Sequence, residues 1–113
     1  MTLDSSRSKL FGSATRTSIL VLLALLGESY TAELAKMLGV RASAIKKIVD
    51  ALEVESIVAG RLAGRTRLLT LNPRYEAAGE LKALLWKLGE RDFELQELAG
   101  TKRKRPRRAG KPI

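Results

Sequence analysis

Residues 31–50 read TAELAKMLGVRASAIKKIVD, the most informative pattern in the chain. The pattern predicts a helix, a tight turn at Gly39 and a second helix, because glycine suits a turn that needs positive φ. Ala35 is small where two such helices must cross closely. The positions that would pack inward are apolar: Leu34, Leu38, Val40, Ile45 and Ile48. This is the layout of a helix-turn-helix, whose second helix can enter the DNA major groove.

Helix signals also surround this pair. Ser13 is a suitable N-cap for a helix over about 14–26, and Gly27 is suited to end it. Apolar residues surround nearly the whole of that helix, which indicates a buried, central element. Thr31 is expected to cap the next helix, and the helix after it runs from about 42 to 53.

After residue 56 the spacing of the apolar residues changes from a helical to a strand pattern. Residues 57–61 and 65–71 read as two short strands joined near Ala63-Gly64. Because an isolated hairpin is only marginally stable, we expect it to pack on the helices. A helix-turn-helix followed directly by a basic hairpin is the order of a winged helix.

The last third of the chain predicts one more helix. Asn72-Pro73 closes the second strand and starts a helix running to about Leu88, with Gly89 as its expected end and an acidic segment beyond it. The fold class is therefore mostly α with a small β-hairpin, a winged helix-turn-helix with an additional C-terminal helix. The expected parts are a disordered arm (1–9), a DNA-binding domain (10–72), a C-terminal helix for dimerisation (73–99) and a disordered basic tail (100–113).

Charge and composition narrow the functional class. The net charge of the 113 residues is +9, but residues 101–113 carry seven basic and no acidic side chains, which leaves residues 1–100 at +2. A basic tail on a nearly neutral domain indicates a polyanionic partner, and nucleic acid fits better than a membrane because the tail is poor in bulky apolar residues. The chain has no cysteine and no histidine, which excludes a zinc site or a Ser/His hydrolase. No nucleophile, glycine-rich phosphate loop or ligand set accompanies its acidic residues, so we expect no metal, no cofactor and no enzymatic activity.

The longest apolar run does not predict a membrane segment. Eight apolar residues occupy positions 19–26, whereas a spanning helix needs about 20. No small-x-small cleavage site follows the run, and Glu28 and Tyr30 stand there instead. We therefore expect a buried helix in a cytoplasmic protein.

Residues 10–88 resemble the winged helix-turn-helix regulators of the ArsR and MarR type. The residues that carry the resemblance are LFGSATR at 10–16 with Ile19-Leu20, the helix-turn-helix element at 31–40, a MarR-like recognition helix at 45–53 and an ArsR-like wing from Gly64 to Pro73. Arg41 stands where the family usually places serine or threonine, and Ser56 stands where a glycine commonly precedes the wing. The resemblance implies a transcriptional regulator that binds duplex DNA.

The outer face of the second helix supplies the first candidate DNA contacts. These residues are Arg41, Ala42, Ser43, Ala44, Lys46 and Lys47. The basic side chains can reach phosphates or guanine, the serine can bond either phosphate or base, and the alanines can approach thymine methyls. The face has no Asn or Gln for bidentate contacts to adenine, so we expect modest sequence selectivity. A solvated helix face is the alternative.

The hairpin and the tail supply the remaining candidates. In the hairpin these are Arg61, Arg65 and Arg67, and alternation places the last two on one face. In the tail they are Lys102, Arg103, Lys104, Arg105, Arg107 and Arg108. Groove or phosphate contacts by these cations would make DNA binding steeply salt-dependent. Protection of a strand edge by the arginines, and a solubility or localisation role for the tail, are the alternatives.

The C-terminal helix is expected to form a homodimer. Its dimerisation candidates are Leu81, Leu84, Leu85 and Leu88, which together are more apolar than one small domain requires. In regulators of this kind a dimer places two recognition helices about 34 Å apart, one turn of DNA. The alternative is that these leucines complete the core of the monomer, and Trp86 could face solvent or a pocket.

Two other functions compete with DNA-dependent regulation. An RNA- or ribosome-associated protein would need exposed aromatic side chains for base stacking, whereas the five aromatic residues are expected mostly at core-like positions. A protein-interaction module would lack DNA binding in the absence of its partner.

Overall fold

The computed structural model describes residues 8–104, and the side chains of residues 8–101. Five helices and one two-stranded antiparallel hairpin make up this part of the chain, which confirms the mostly helical class with a small hairpin. The elements are α1 (Ala14–Leu26), α2 (Thr31–Leu38), α3 (Ala42–Val54), β1 (Val58–Ala63), β2 (Thr66–Leu71), α4 (Ala78–Glu90) and α5 (Phe93–Lys104).

Helix α1 is the centre of the core. The Ser13 hydroxyl accepts a hydrogen bond from the Arg16 amide, and Gly27 ends the helix at a φ of 87°. All residues from Thr17 to Leu25 are buried, because α2, α4, α5 and β2 pack around this helix. The predicted N-cap, end and central position of α1 are confirmed. Within residues 8–104, no helix combines the length and the apolarity that crossing a bilayer requires.

Three residues, Gly39 to Arg41, connect α2 to α3. Gly39 is left-handed at φ 66°, ψ 35°, and the Val40 amide donates to the Ala35 carbonyl over 3.1 Å, which closes the end of α2. Leu34 and Leu38 of α2 and three residues of α3 are buried. The predicted capping by Thr31 is wrong: Tyr30 is the N-cap, it makes no side-chain cap bond, and Thr31 is the first helical residue.

The hairpin pairs Val58 with Leu71 at its base and Ala63 with Thr66 at its tip. Gly64 has a φ of 65° and occupies the first of the two turn residues, the position that needs positive φ in a type II′ hairpin. On its other side, β2 bonds to the segment after α1: the amides of Ser29 and Leu69 each donate to the other's carbonyl, over 3.0 and 2.7 Å. Since Leu69 is fully buried, the hairpin is fixed on the helical core.

The single C-terminal helix predicted for residues 73–99 is in fact two helices, α4 and α5, and α4 begins not at Pro73, as predicted, but at Ala78. Asn72 organises the intervening turn: its side-chain amide donates to the Ser56 carbonyl over 2.9 Å, and its side-chain oxygen accepts from the Arg74 amide over 3.0 Å. These local bonds compete with helix formation, as Asn side chains commonly do.

The predicted end of α4 at Gly89 is also wrong. Gly89 lies inside the helix and is buried, because its missing side chain lets α4 approach α1. Asp92 caps the next helix by accepting a hydrogen bond from the Leu95 amide over 3.0 Å. Helix α5 then extends to Lys104, which corrects the predicted disorder for residues 100–104. Buried Leu95 and Ala99 pack this helix on the core, and lysine and arginine are good helix formers.

Candidate nucleic-acid interface

The first half of α3 presents an exposed, basic and acid-free surface. Ile45, Val49 and Leu52 recur at helical spacing and are buried, so the opposite side of the helix faces solvent. Of the predicted contacts, Ala44 is half-buried and the others are exposed: Arg41, Ala42, Ser43, Lys46 and Lys47. Arg41 is the N-cap but makes no capping bond, and the first turn contains no acidic residue. The positive end of the helix dipole therefore lies beside uncompensated cations.

The second half of α3 is acidic and binds the hairpin. Arg67 of β2 forms ion pairs with Asp50, at 3.2 Å between Nη1 and Oδ1, and with Glu53. These two carboxylates were not among the predicted site residues. Their spacing, one turn apart on α3 opposite a strand with alternating arginines, was the available signal. Arg67 was predicted to contact DNA, whereas its guanidinium is engaged within the chain.

Lys46 is also paired. Its ammonium lies 2.8 Å from Asp50 Oδ2, one helical turn further along α3. The hydrogen bond from Lys46, together with a weaker one from Arg67, holds the pKa of the Asp50 carboxyl below its ordinary value and outweighs the opposing effect of burial. Asp50 therefore stays ionised and joins a cation of α3 to a cation of the hairpin.

The hairpin arginines do not form a single cluster. Leu62 pairs with Arg67 and Arg61 with Leu68, so Arg61 and Arg67 project to opposite faces of the hairpin. Arg61 lies 3.4 Å from Glu28, and both side chains are largely exposed. Arg65 belongs to the two-residue turn and is exposed. Within the described residues it makes no ion pair, and it is the hairpin cation best placed to meet a ligand.

The basic tail is divided by the end of α5. The backbones of Lys102, Arg103 and Lys104 form the last turn of that helix. Arg105, Arg107 and Arg108 lie outside the described residues, and their predicted contacts stay predictions.

The predicted dimerisation leucines have different positions. Leu85 is fully buried and belongs to the core of the monomer, so its assignment to a dimer surface is wrong. Leu81 and Leu88 are half-buried against the same core. Leu84 and Trp86 are exposed on α4, at 39% and 41% of their surface. A shallow groove of about 470 Å³ runs along this helix and is lined by Gly79, Lys82, Ala83, Trp86, Lys87 and Glu90.

The aromatic side chains are less buried than expected. Tyr30, Trp86 and Phe93 are exposed, at 36%, 41% and 74% of their surface, which corrects the expected core-like positions. Tyr30 lines a second groove, of about 410 Å³, between α2 and α5. The three aromatic residues lie on neither α3 nor the hairpin.

Comparison of the chain with protein-family models, curated proteins and solved structures found no match. Nor do the described residues bring together three acidic side chains in a geometry that could hold a metal ion. What the described surface offers chemically is a set of cations, a helix N-terminus and two apolar grooves.

Proposed function

We propose that the protein is a transcriptional regulator of the winged helix-turn-helix class that binds duplex DNA as a dimer. In this proposal α3 lies in the major groove and the hairpin acts as the wing. The observation that carries the proposal is the exposed, basic and acid-free first half of α3 beside a hairpin that is tied to the same helix.

The distribution of charge supports a specific orientation on DNA. Among the described residues, Arg41, Lys47 and Arg65 form no ion pair, so their charges are available to phosphates. The acidic residues of α3 begin only at Asp50, in its second half. The N-terminal end of α3 would therefore face the polyanion, as recognition helices do.

The chemistry of this surface favours affinity over sequence discrimination. Arg41 and Lys47 suit phosphate oxygens or guanine, and Ser43 can hydrogen-bond to either phosphate or base. Ala42 and Ala44 permit close approach of the helix to the groove. Because this face offers no amide for adenine, we expect the preference for one site over random duplex to stay below about a thousandfold.

The exposed face of α4 supports a second copy as the partner in a dimer. Trp86 exposes apolar surface in a groove in which Gly79 and Ala83 leave room for a facing helix. Two linked DNA-binding domains bind DNA far more tightly than one, because the binding of the second domain becomes intramolecular.

A matched pair of double variants tests the DNA-binding surface. Arg41→Ala/Lys47→Ala removes two charges from α3, and Arg74→Ala/Arg91→Ala removes two exposed charges outside α3, the hairpin and the α4 groove. We expect the α3 variant to lower the slope of log affinity against log salt by about 2 and the control variant to leave it unchanged. Fluorescence anisotropy on the full chain, from 50 to 300 mM salt, would measure both. Equal slopes for the two variants and the wild type would refute the assigned surface.

The same titrations decide between DNA and the competing partners. They would use DNA from upstream of the protein's own gene, random duplex and RNA, with the full chain and with residues 1–104. A preference for one duplex that survives the truncation supports a DNA reader with an accessory tail. Tighter binding to RNA than to duplex favours an RNA-associated protein, in which the exposed aromatic residues would stack on bases. Loss of all binding with residues 105–113 favours a protein-interaction module, for which the groove beside Trp86 is the candidate surface.

A further inference from the structure

Four alternating charges form a row from the recognition face of α3 to the hairpin. Lys46, Asp50 and Glu53 follow one another along α3, and Arg67 of β2 lies between the two carboxylates. Asp50 has a separate oxygen for each cation: Oδ2 faces Lys46 at 2.8 Å and Oδ1 faces Arg67 at 3.2 Å. The four charges sum to zero, although they lie beside the unpaired cations of the same helix.

The two cations of the row are held to different degrees. Arg67 contacts two carboxylates and only 34% of its side chain is exposed, so it is fixed between helix and hairpin. Lys46 contacts one carboxylate and 63% of its side chain is exposed. Exposed ion pairs between residues one helical turn apart are weak and screened by salt. Lys46 is therefore the cation that can leave its carboxylate and pair with a competing anion.

We infer that Asp50 competes with DNA for Lys46. In the free protein the Asp50 carboxylate pairs with the Lys46 ammonium, and on DNA a phosphate replaces that carboxylate. The inference rests on the proposed function. When Lys46 turns to a phosphate, Asp50 keeps its bond to Arg67, so no carboxylate is left without a partner. The shared carboxylate thus makes the exchange of partners easy and also keeps a negative charge close to the DNA backbone. Arg67 is a positioning residue that keeps the hairpin on α3 and makes no phosphate contact.

This arrangement predicts that Asp50 weakens binding to every duplex. Asp50→Asn removes the negative charge while keeping an oxygen that can accept from Arg67. Lys46 is then available to a phosphate without first breaking its exposed ion pair with Asp50. We expect the variant to bind random duplex about threefold to fivefold more tightly, the fold-change that the free energy of an exposed ion pair implies. The repulsion between Asp50 and the phosphates also disappears, but this contribution is smaller and does not depend on Lys46.

The decisive experiment is a double-mutant cycle on the full chain. Wild type, Asp50→Asn, Lys46→Met and the double variant are titrated with a random 20-base-pair duplex by fluorescence anisotropy at 100 mM salt. The gain from Asp50→Asn should shrink to less than twofold in the Lys46→Met background, because the released cation is then missing. Glu97→Gln removes one exposed acidic charge from α5, away from the row and from the α4 groove, and should change affinity less than twofold. Far-UV circular dichroism confirms that each variant is folded.

The outcomes separate this inference from the proposed function. If wild type binds duplex and Asp50→Asn binds no more tightly, the inference is wrong and the proposed function stands. A gain that persists in full without Lys46 also overturns it, because the effect is then general electrostatics. If no protein in the cycle binds duplex, the proposed function fails and the inference with it.

The role of Arg67 has its own matched control in Arg65. Arg65→Met should lower the salt slope by about 0.9, the share of one phosphate contact. Arg67→Met should leave the slope unchanged and instead speed amide hydrogen exchange in the hairpin, because β2 loses its ion pairs with Asp50 and Glu53 of α3. A lower slope for Arg67→Met would show that Arg67 contacts phosphate and would refute its positioning role.

Discussion

Two glycines of α4 should respond in opposite directions to the same substitution. Gly79 and Gly89 each stand one residue inside an end of this helix, so alanine improves the helix propensity of both to a similar extent. A Cβ at Gly79 would meet no atom within 4 Å. At Gly89 it would lie 3.1 Å from a methyl of Val21 and 3.3 Å from a methyl of Leu25, closer than ordinary van der Waals contact.

The contacts decide the sign of each change. Gly79→Ala should stabilise the protein by about 0.5–1 kcal/mol, the difference in helix propensity near a helix end. Gly89→Ala gains the same propensity but overpacks the interface between α4 and α1, which costs about 1–3 kcal/mol. We therefore expect Gly89→Ala to destabilise the protein by about 1 kcal/mol, and the two variants to differ by about 2 kcal/mol.

Urea unfolding followed by far-UV circular dichroism measures this difference. At low micromolar protein, where association contributes least, the two midpoints should differ by roughly 1 M with unchanged slopes. Wild type should lie between the variants. If Gly89→Ala proves as stable as Gly79→Ala, α4 does not press on α1 at this point, and the reason given for the buried glycine is wrong.

Three further perturbations test local features of the fold. Ser56 has a φ of 65°, so Ser56→Gly should raise the free energy of unfolding by about 0.5 kcal/mol, and a lower urea midpoint would contradict this. The Ser18 hydroxyl is buried in α1 with no hydrogen-bond partner among the described residues. Ser18→Ala should therefore raise the free energy of unfolding by about 1 kcal/mol. A clearly lower melting temperature for the variant would show that the hydroxyl does make a stabilising hydrogen bond. Because the pKa of Asp50 is lowered in the folded state, its contribution to stability is present above about pH 4 and is lost as the pH falls below that value. Urea midpoints at pH 3 and pH 7 should therefore differ less for Asp50→Asn than for wild type, and an equal difference would count against the ion pairs of Asp50.

Features set by neighbouring residues could be predicted from the sequence. The cap at Ser13, the end of α1 at Gly27 and the left-handed turn at Gly39 depend on backbone conformations that only a few residue types favour. The positions of α3 and of the two strands follow, to within two residues at each end, from the 3.6-residue and two-residue periods of their apolar side chains. The same helical period predicts which residues lie on the outer face of α3, because once the apolar residues are placed toward the core the remaining positions must face solvent.

Features set by distant residues could not be predicted in this way. Nothing local in the sequence distinguishes Gly89, a close contact with α1, from a helix-ending glycine, or buried Leu85 from exposed Leu84. The ion-pair partners of Arg67 lie on another element, 14 and 17 positions earlier in the chain. The alternation of side chains along a strand predicts the face on which Arg67 lies, but not that two carboxylates of α3 bind it there.

The sequence by itself determined the order of the elements from α1 to α4, the basic face of α3 and the absence of cysteine and histidine, because these depend on composition and local periodicity. Only the tertiary structure decided which cations of that face are available. That choice depends on the distance of each cation from a carboxylate, and the carboxylates are placed by the packing of β2 against α3.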